Sequence, residues 1–220
     1  MTLACGIDFG TSNSCVGVCN AGRPHLLPIQ RGRTSVPTAL FFSFDDDSTT
    51  FGHEALERYF AREPGRYLRA IKSVLGTKLF EETTQVKLKR YAFGEIVAAF
   101  LKFLRTAVGE SLGAPPTSVV LGRPAFFVDG DPEADAAAER QLAAAAEAAG
   151  FERIAFQFEP IAAALRQPFD QAVFLSLQRN HMICVTRVGR ELHVVAQLRQ
   201  PFDQAVFLSL LTATVEVVGA

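Results

Sequence analysis

The chain lacks a surplus of charge of either sign: 22 lysine and arginine residues stand against 23 aspartate and glutamate residues, a net charge of −1 over 220 residues. Without an overall basic field nothing drives binding to a phosphate backbone by counterion release, so nucleic acid is not an expected partner. Long apolar runs are also missing. The longest uncharged stretch near the end, residues 204–215, is twelve residues, short of the roughly 20 that a membrane helix needs, and no membrane association is expected. The opening Met1 to Cys5 carries no cationic segment and reaches Asp8 too soon for a secretory leader, so the expected location is cytoplasmic. Cysteine is scarce. Cys5, Cys15, Cys19 and Cys184 form no C-x-x-C pair and have no histidine at zinc spacing, and are expected to be reduced, buried, small apolar residues. What remains is a globular composition, 49% hydrophobic and 20% charged, in a chain long enough to bury a core without disulfide or metal staples.

The residue patterns predict four opening strands, over 3–8, 14–19, 24–29 and 39–44, the first two joined by the turn Phe9-Gly-Thr-Ser-Asn13. A helix is predicted over 53–62, with Leu56, Tyr59 and Phe60 on one face, and a longer one over about 94–112 with Ile96, Val97, Phe100, Phe103, Leu104 and Val108 as its apolar stripe. After a short strand over 118–122, a third helix has clear punctuation: Asp131 as N-cap, Pro132 at the first helical position and Gly150 just past its end. A strand over 154–158 and a short helix over 161–165 complete this part. Strands alternating with helices indicate an α/β layered domain over residues 1–165. A hairpin over 182–197 turning at Gly189-Arg190 is predicted beyond it.

Past Leu165 the sequence changes character. The thirteen residues 165–177 recur unchanged as 198–210, at an offset of thirty-three. Repeats that build an architecture drift apart and need at least about three copies to bury a shared core. An identical pair reads instead as a recent duplication or an assembly product, within a β-rich tail over 166–220.

The turn between the first two strands is the first candidate for chemistry. Its small residues would let consecutive backbone N–H groups face one anion, with Thr11 and Ser12 adding hydroxyl donors. Asp8 would lie beside bound phosphates, where a carboxylate is tolerable only if a cation such as Mg²⁺ neutralises the cluster. On residue types alone an ordinary glycine-containing hairpin fits equally well. Lys72 and Glu159 likewise read, by themselves, as a solvated lysine and as an acid favoured at a helix start beside Pro160. His25, His53, His181 and His193 have no motif around them.

Four segments, in order, resemble one family. Gly6-Ile-Asp-Phe-Gly-Thr-Ser-Asn-Ser-Cys-Val-Gly17 is similar to the first phosphate motif of the actin-like ATPases, specifically of the DnaK-like seventy-kilodalton heat-shock chaperones. Arg33-Thr-Ser-Val-Pro-Thr-Ala-Leu-Phe-Phe42 resembles the strand after that family's first hairpin, and Ala70-Ile-Lys-Ser-Val-Leu-Gly76 the segment bearing its catalytic lysine. Phe158-Glu-Pro-Ile-Ala-Ala-Ala-Leu165 resembles its Glu-Pro signature, and Val120-Leu-Gly-Arg-Pro124 is most similar to the YegD-type branch. The resemblance covers residues 1–165. It implies the first lobe of an actin-like (ribonuclease H-like) nucleotide-binding domain, a mixed sheet with helices packed on it, with an insertion subdomain over about 37–92. It implies ATP or ADP with Mg²⁺ as cofactors, and client or co-chaperone proteins as partners. Carried onto this sequence, Asp8, Gly10, Thr11, Ser12 and Asn13 would hold the nucleotide, with Asp8 also at the metal. Lys72 would position the attacking water and stabilise the transferring phosphoryl group, and Glu159 would link the lobes and hold metal-bound water.

One departure from the family bears on activity. An actin-like site clamps its nucleotide between two phosphate loops, and the second needs an Asp-x-Gly-Gly-Gly-Thr run soon after the Glu-Pro helix. This sequence has sixteen glycines and no Gly-Gly pair. In the expected place stands Ala172-Val-Phe-Leu-Ser-Leu-Gln-Arg-Asn-His181, which supplies neither the aspartate nor a backbone free of Cβ atoms. The expectation is a truncated chaperone ATPase with an incomplete second lobe and no turnover. A non-catalytic protein-interaction module is the alternative; a sugar or acetate kinase of the same superfold is argued against by the Glu-Pro-x-Ala-Ala-Ala segment.

Overall fold

Alternation of residue character makes the first strand two-faced: β1 (Ala4–Phe9) buries Cys5, Ile7 and Phe9 and exposes Ala4, Gly6 and Asp8, as a period of two requires. The computed structural model describes residues 4–20, 23–124, 126–128, 130–158, 174–178, 181–188 and 191–199. The chain divides into two units, 1–156 and 157–220. In the first, β2 (Asn13–Asn20) returns antiparallel to β1 with Asp8 opposite Cys15. β3 (Arg23–Leu26) and β4 (Ser35–Pro37) both pair antiparallel with β2.

The segment that follows builds two small sheets. β5 (Ala39–Ser43), buried along its whole length, lies between β6 (Thr49–Phe51) and β7 (Gly65–Arg69). Between those two strands runs α1 (Gly52–Phe60), whose start is fixed from a distance. The Gln30 amide accepts from the His53 N–H at 2.8 Å and donates to the Phe51 carbonyl at 3.1 Å. After a 3₁₀ turn over Ile71–Val74, the hairpin β8 (Thr83–Val86) and β9 (Lys89–Ala92) packs Tyr91 on Phe42, centroids 4.8 Å apart. Neither β7, β8 nor β9 is predicted from the sequence, because four or five residues rich in lysine, arginine and threonine carry no apolar alternation.

α2 (Phe93–Leu112) is the core helix. Glu95 accepts from the Ala92 N–H at 2.8 Å, satisfying one orphan donor of its first turn. Its predicted stripe is buried, with Leu101 and Ala107 in addition and Phe103 at the margin, stacked on Phe51 at 5.0 Å. β10 (Ser118–Arg123) then enters parallel to β1 on the side away from β2. α3 (Pro132–Ala148) follows, with the Asp131 carboxylate accepting from the N–H groups of Glu133 and Ala134 and Gly150 at φ +98° past its end, as the sequence predicts. Its alanines Ala138, Ala145 and Ala146 are buried with Leu142, which permits close packing. β11 (Arg153–Phe158) completes a mixed sheet in the order β11-β10-β1-β2-β3, with β4 on β2. This is a mixed α/β architecture consistent with an actin-like lobe.

The second unit contains an antiparallel meander, β12 (Phe174–Gln178), β13 (His181–Val188) and β14 (Glu191–Arg199), with Val188 opposite Glu191 as the predicted hairpin requires. The helix predicted over 161–165 and most of both copies of the duplicated segment lie outside the described residues. One expectation is corrected. Cys5 is buried, but Cys15 is half-buried and Cys19 exposed, because both fall on the face of β2 that continues the exposed face of β1.

Candidate functional site

The turn that joins β1 to β2 is tight by necessity. A Cβ built on Gly10 would overlap the carbonyl oxygen of Asn13, so only glycine closes this loop. Behind it stands Thr38, which is 1% exposed and lies at the junction of β4 and β5. Its hydroxyl donates to the Gly10 carbonyl at 2.7 Å, and its backbone N–H donates to the Ser12 carbonyl at 2.9 Å. Having given its only hydroxyl proton to Gly10, Thr38 must accept from Ser14, whose buried Oγ lies 2.8 Å away. Two loop carbonyls are thereby tied back into the protein, while Thr11, Ser12 and Asn13 are exposed. The negative ends of the loop dipoles face inward, which suits an anion on the outer side.

Asp8 sits at the end of β1 on the exposed face, one residue before Phe9 enters the core. β10 is parallel to β1 with Ile7 beside Leu121, so the segment leaving β10 emerges at the same sheet edge as the turn. The carboxyl edge of parallel strands is where α/β sheets collect ligands.

Lys72 reaches this edge from the 3₁₀ turn. It is 9% exposed, and its ammonium lies 5.8 Å from the ring centre of Phe127 in the segment after β10. The guanidinium of Arg123 lies 5.4 Å from the same ring, so the ring face serves two cations. Phe127 is held by its own N–H, which donates to the Asp135 carboxylate at 2.5 Å, and Asp135 also binds Arg123 at 2.8 Å. Glu139, one turn further along α3, pairs with the other arm of Arg123. The Arg123–Asp135 side chains are only 14% and 15% exposed, so this pair is shielded from solvent in a way that the surface pairs of Arg31 and Lys87 are not. Gly76, at φ +73°, lets the chain after the turn meet α3. A Cβ there would come within 2.6 Å of Val128 and 2.8 Å of the Ala134 carbonyl, and the Gly76 N–H donates to Gln141 at 2.7 Å.

Of the sequence-predicted residues, Asp8, Gly10, Thr11, Ser12 and Asn13 form one continuous turn, and Lys72 is held beside the segment that leaves the neighbouring strand. Glu159 lies outside the described residues. Sequence reasoning missed Thr38, which is tied to the turn, and Arg123, Phe127 and Asp135, which are grouped beside Lys72. Thr38 falls inside a quoted family-like segment, but nothing local marks its tether to a loop 28 residues away. Among the described residues no group of three histidine, cysteine or acidic side chains is arranged to hold a metal. A divalent cation at Asp8 would therefore need ligand oxygens from elsewhere, such as phosphate.

Residues 4–94 match the model of the Hsp70 protein family, whose members work with ATP and Mg²⁺ and bind client proteins. The β1–β2 turn, Thr38 and Lys72 lie inside this Hsp70-like segment, and Arg123, Phe127 and α3 lie beyond it.

Proposed function

We propose that this chain is an ATP-binding lobe of the Hsp70 type, of the YegD-like branch, that holds the polyphosphate of Mg²⁺·ATP from one side without turning it over. The observation that carries this reading is the tether of the Gly10 and Ser12 carbonyls to Thr38, which leaves Thr11, Ser12 and Asn13 on the outer side of the turn. These residues fit a phosphate: Gly10 has no room for a Cβ, the hydroxyls are exposed, and Asp8 offers one carboxylate for a phosphate-bound cation. When bound, Mg²⁺ would neutralise charge between Asp8 and the phosphates. Lys72 would supply a further positive charge, its ammonium lying beside the Phe127 ring.

Turnover needs more than one half of a clamp. Phosphoryl transfer is catalysed by positioning and electrostatic stabilisation from several sides, and loss of a single preorganised donor commonly costs on the order of a hundredfold in rate. The sequence offers no Gly-Gly pair for a second phosphate loop. The same feature favours the second reading, a protein-interaction module that keeps the lobe for contacts rather than for chemistry.

Equilibrium titration with Mg²⁺·ATP, paired with single-turnover hydrolysis of labelled ATP, tests the proposal. Binding should be weaker than about 0.1 mM and should weaken further in Asp8→Ala and Thr38→Val, with hydrolysis at the no-protein rate. Binding that ignores both substitutions would remove the turn as the nucleotide site. Hydrolysis abolished by Lys72→Ala would show that the chain completes an active site after all.

A further inference from the structure

β7 is an edge strand: its sheet is ordered β6-β5-β7, and among the described residues no further strand pairs with it. Alternation fixes which of its backbone groups face outward. The Ser43 N–H bonds to Ser48 on the β6 side of the sheet, and the Phe44 N–H bonds to the Pro64 carbonyl on the β7 side. Successive residues of a strand direct their N–H and C=O to opposite neighbours. With Leu40 opposite Leu68 and Phe42 opposite Arg66, Arg66 and Leu68 are the β7 residues that bond to β5. Gly65, Tyr67 and Arg69 therefore turn their N–H and C=O groups away from the sheet, a row of donors and acceptors at strand spacing.

The side chains along this edge have a definite chemistry. Tyr59 of α1 stacks on Tyr67 with centroids 4.5 Å apart, and Tyr59 and Phe60 are 50% and 72% exposed. Arg62, Arg66 and Arg69 are exposed, and no ion pair of the described residues joins any of them to a carboxylate. The nearby acids are engaged elsewhere: Asp46 and Glu63 with Arg58, and Asp47 with Lys87. The edge is thus cationic and aromatic, and no ion pair among the described residues answers its charge.

We propose that the β7 edge binds an extended acidic segment of a partner protein as an added strand. Main-chain hydrogen bonds to Gly65, Tyr67 and Arg69 give the pairing, carboxylates meet the arginines, and an apolar side chain rests on the Tyr59–Tyr67 stack. A second copy of this chain is a poor occupant, because pairing β7 with β7 brings two arginine-bearing edges together with no carboxylate on either strand to answer them. Single-stranded nucleic acid could stack on the aromatics, but it has no regular alternation of donors and acceptors to match the outward backbone.

The test is an anisotropy titration of the full chain with three labelled probes. These are a peptide of about nine residues alternating glutamate and valine, the same peptide with its valines replaced by proline, and a single-stranded oligonucleotide. The first should bind, and the proline version, equal in charge but unable to pair, should bind at least about tenfold more weakly. Arg62→Glu and Arg69→Glu should each weaken the first probe by a similar factor. Amide hydrogen exchange on the unsubstituted chain should slow at Tyr67 and Arg69 when the peptide is bound, which keeps the test independent of how the variants fold. Equal binding of the two peptides, tighter binding of the oligonucleotide, or unchanged exchange at Tyr67 and Arg69 would each overturn the proposal.

Discussion

Three cysteines in one hairpin meet different surroundings because a strand turns alternate residues to opposite faces. Cys5 is 3% exposed against the helices, and burial pushes its thiol pKa up to about 12, with the positive charge of Arg105 only partly opposing the shift. A thiol held protonated is a poor nucleophile. Iodoacetamide at mildly alkaline pH should therefore label Cys19 in the native protein and leave Cys5 unmodified, as peptide mapping by mass spectrometry will read. The same shift has a thermodynamic sign. In the unfolded chain Cys5 ionises near about 8.5, whereas in the folded chain it stays protonated to about 12. Its contribution to stability is then fully present below the unfolded value and is lost as pH rises through that window. Melting temperature should fall between neutral and strongly alkaline pH by more in the natural chain than in Cys5→Ala, and equal losses would remove Cys5 as the cause.

At the scale of elements, α3 shows two kinds of helix start working at once. Asp131 caps it locally, and Asp135, one turn later, binds Arg123 from β10 and the Phe127 N–H from the segment after it. Removing an N-cap costs about 1 kcal/mol. Removing one partner of a shielded ion pair leaves the other charge poorly compensated and costs about 3–5 kcal/mol, here reduced because Glu139 still holds Arg123. Denaturant midpoints should accordingly fall further for Asp135→Ala than for Asp131→Ala, and the reverse order would mean that the cap dominates. The contrast also explains what the sequence could disclose. Asp131, Pro132 and Gly150 act on their own helix, so the ends of α3 were legible, as was the two-faced pattern of β1. The partners of Asp135, the tether of Thr38 and the burial of Lys72 depend on chain brought from elsewhere, and no local pattern announces them. The strands from β6 to β9 were illegible for another reason: each is three to five residues long, too short for a period of two to stand out. Thus the turn at Asp8 to Asn13 could be read from residue types, and the apparatus that orients it could not.

For the whole molecule, what matters is where the buried core comes from. Among the described residues the main apolar cluster runs from Cys5 to Phe151, and the partly buried residues packed against it run to Phe156, all within the first unit. Area removed from water is the dominant favourable term in folding, at roughly 25 cal/mol per Å² of apolar surface. If residues 166–220 are adventitious, the core contacts of the first unit do not depend on them, and the tail has little hold on the transition that unfolds that unit. Deleting residues 166–220, which keeps β11 whole, should therefore leave the main denaturant transition cooperative and of similar slope, with its free energy changed by less than about 1 kcal/mol. The comparison reads directly on the duplicated segment at 165–177 and 198–210, most of which is removed by this cut. If the two copies serve the first unit, the shortened chain will lose its sigmoidal transition or unfold at markedly lower denaturant. If they arose as a duplication with no part in that core, circular dichroism and intrinsic tyrosine fluorescence will trace the same coincident curves in both chains, since all three tyrosines, Tyr59, Tyr67 and Tyr91, lie in the retained unit.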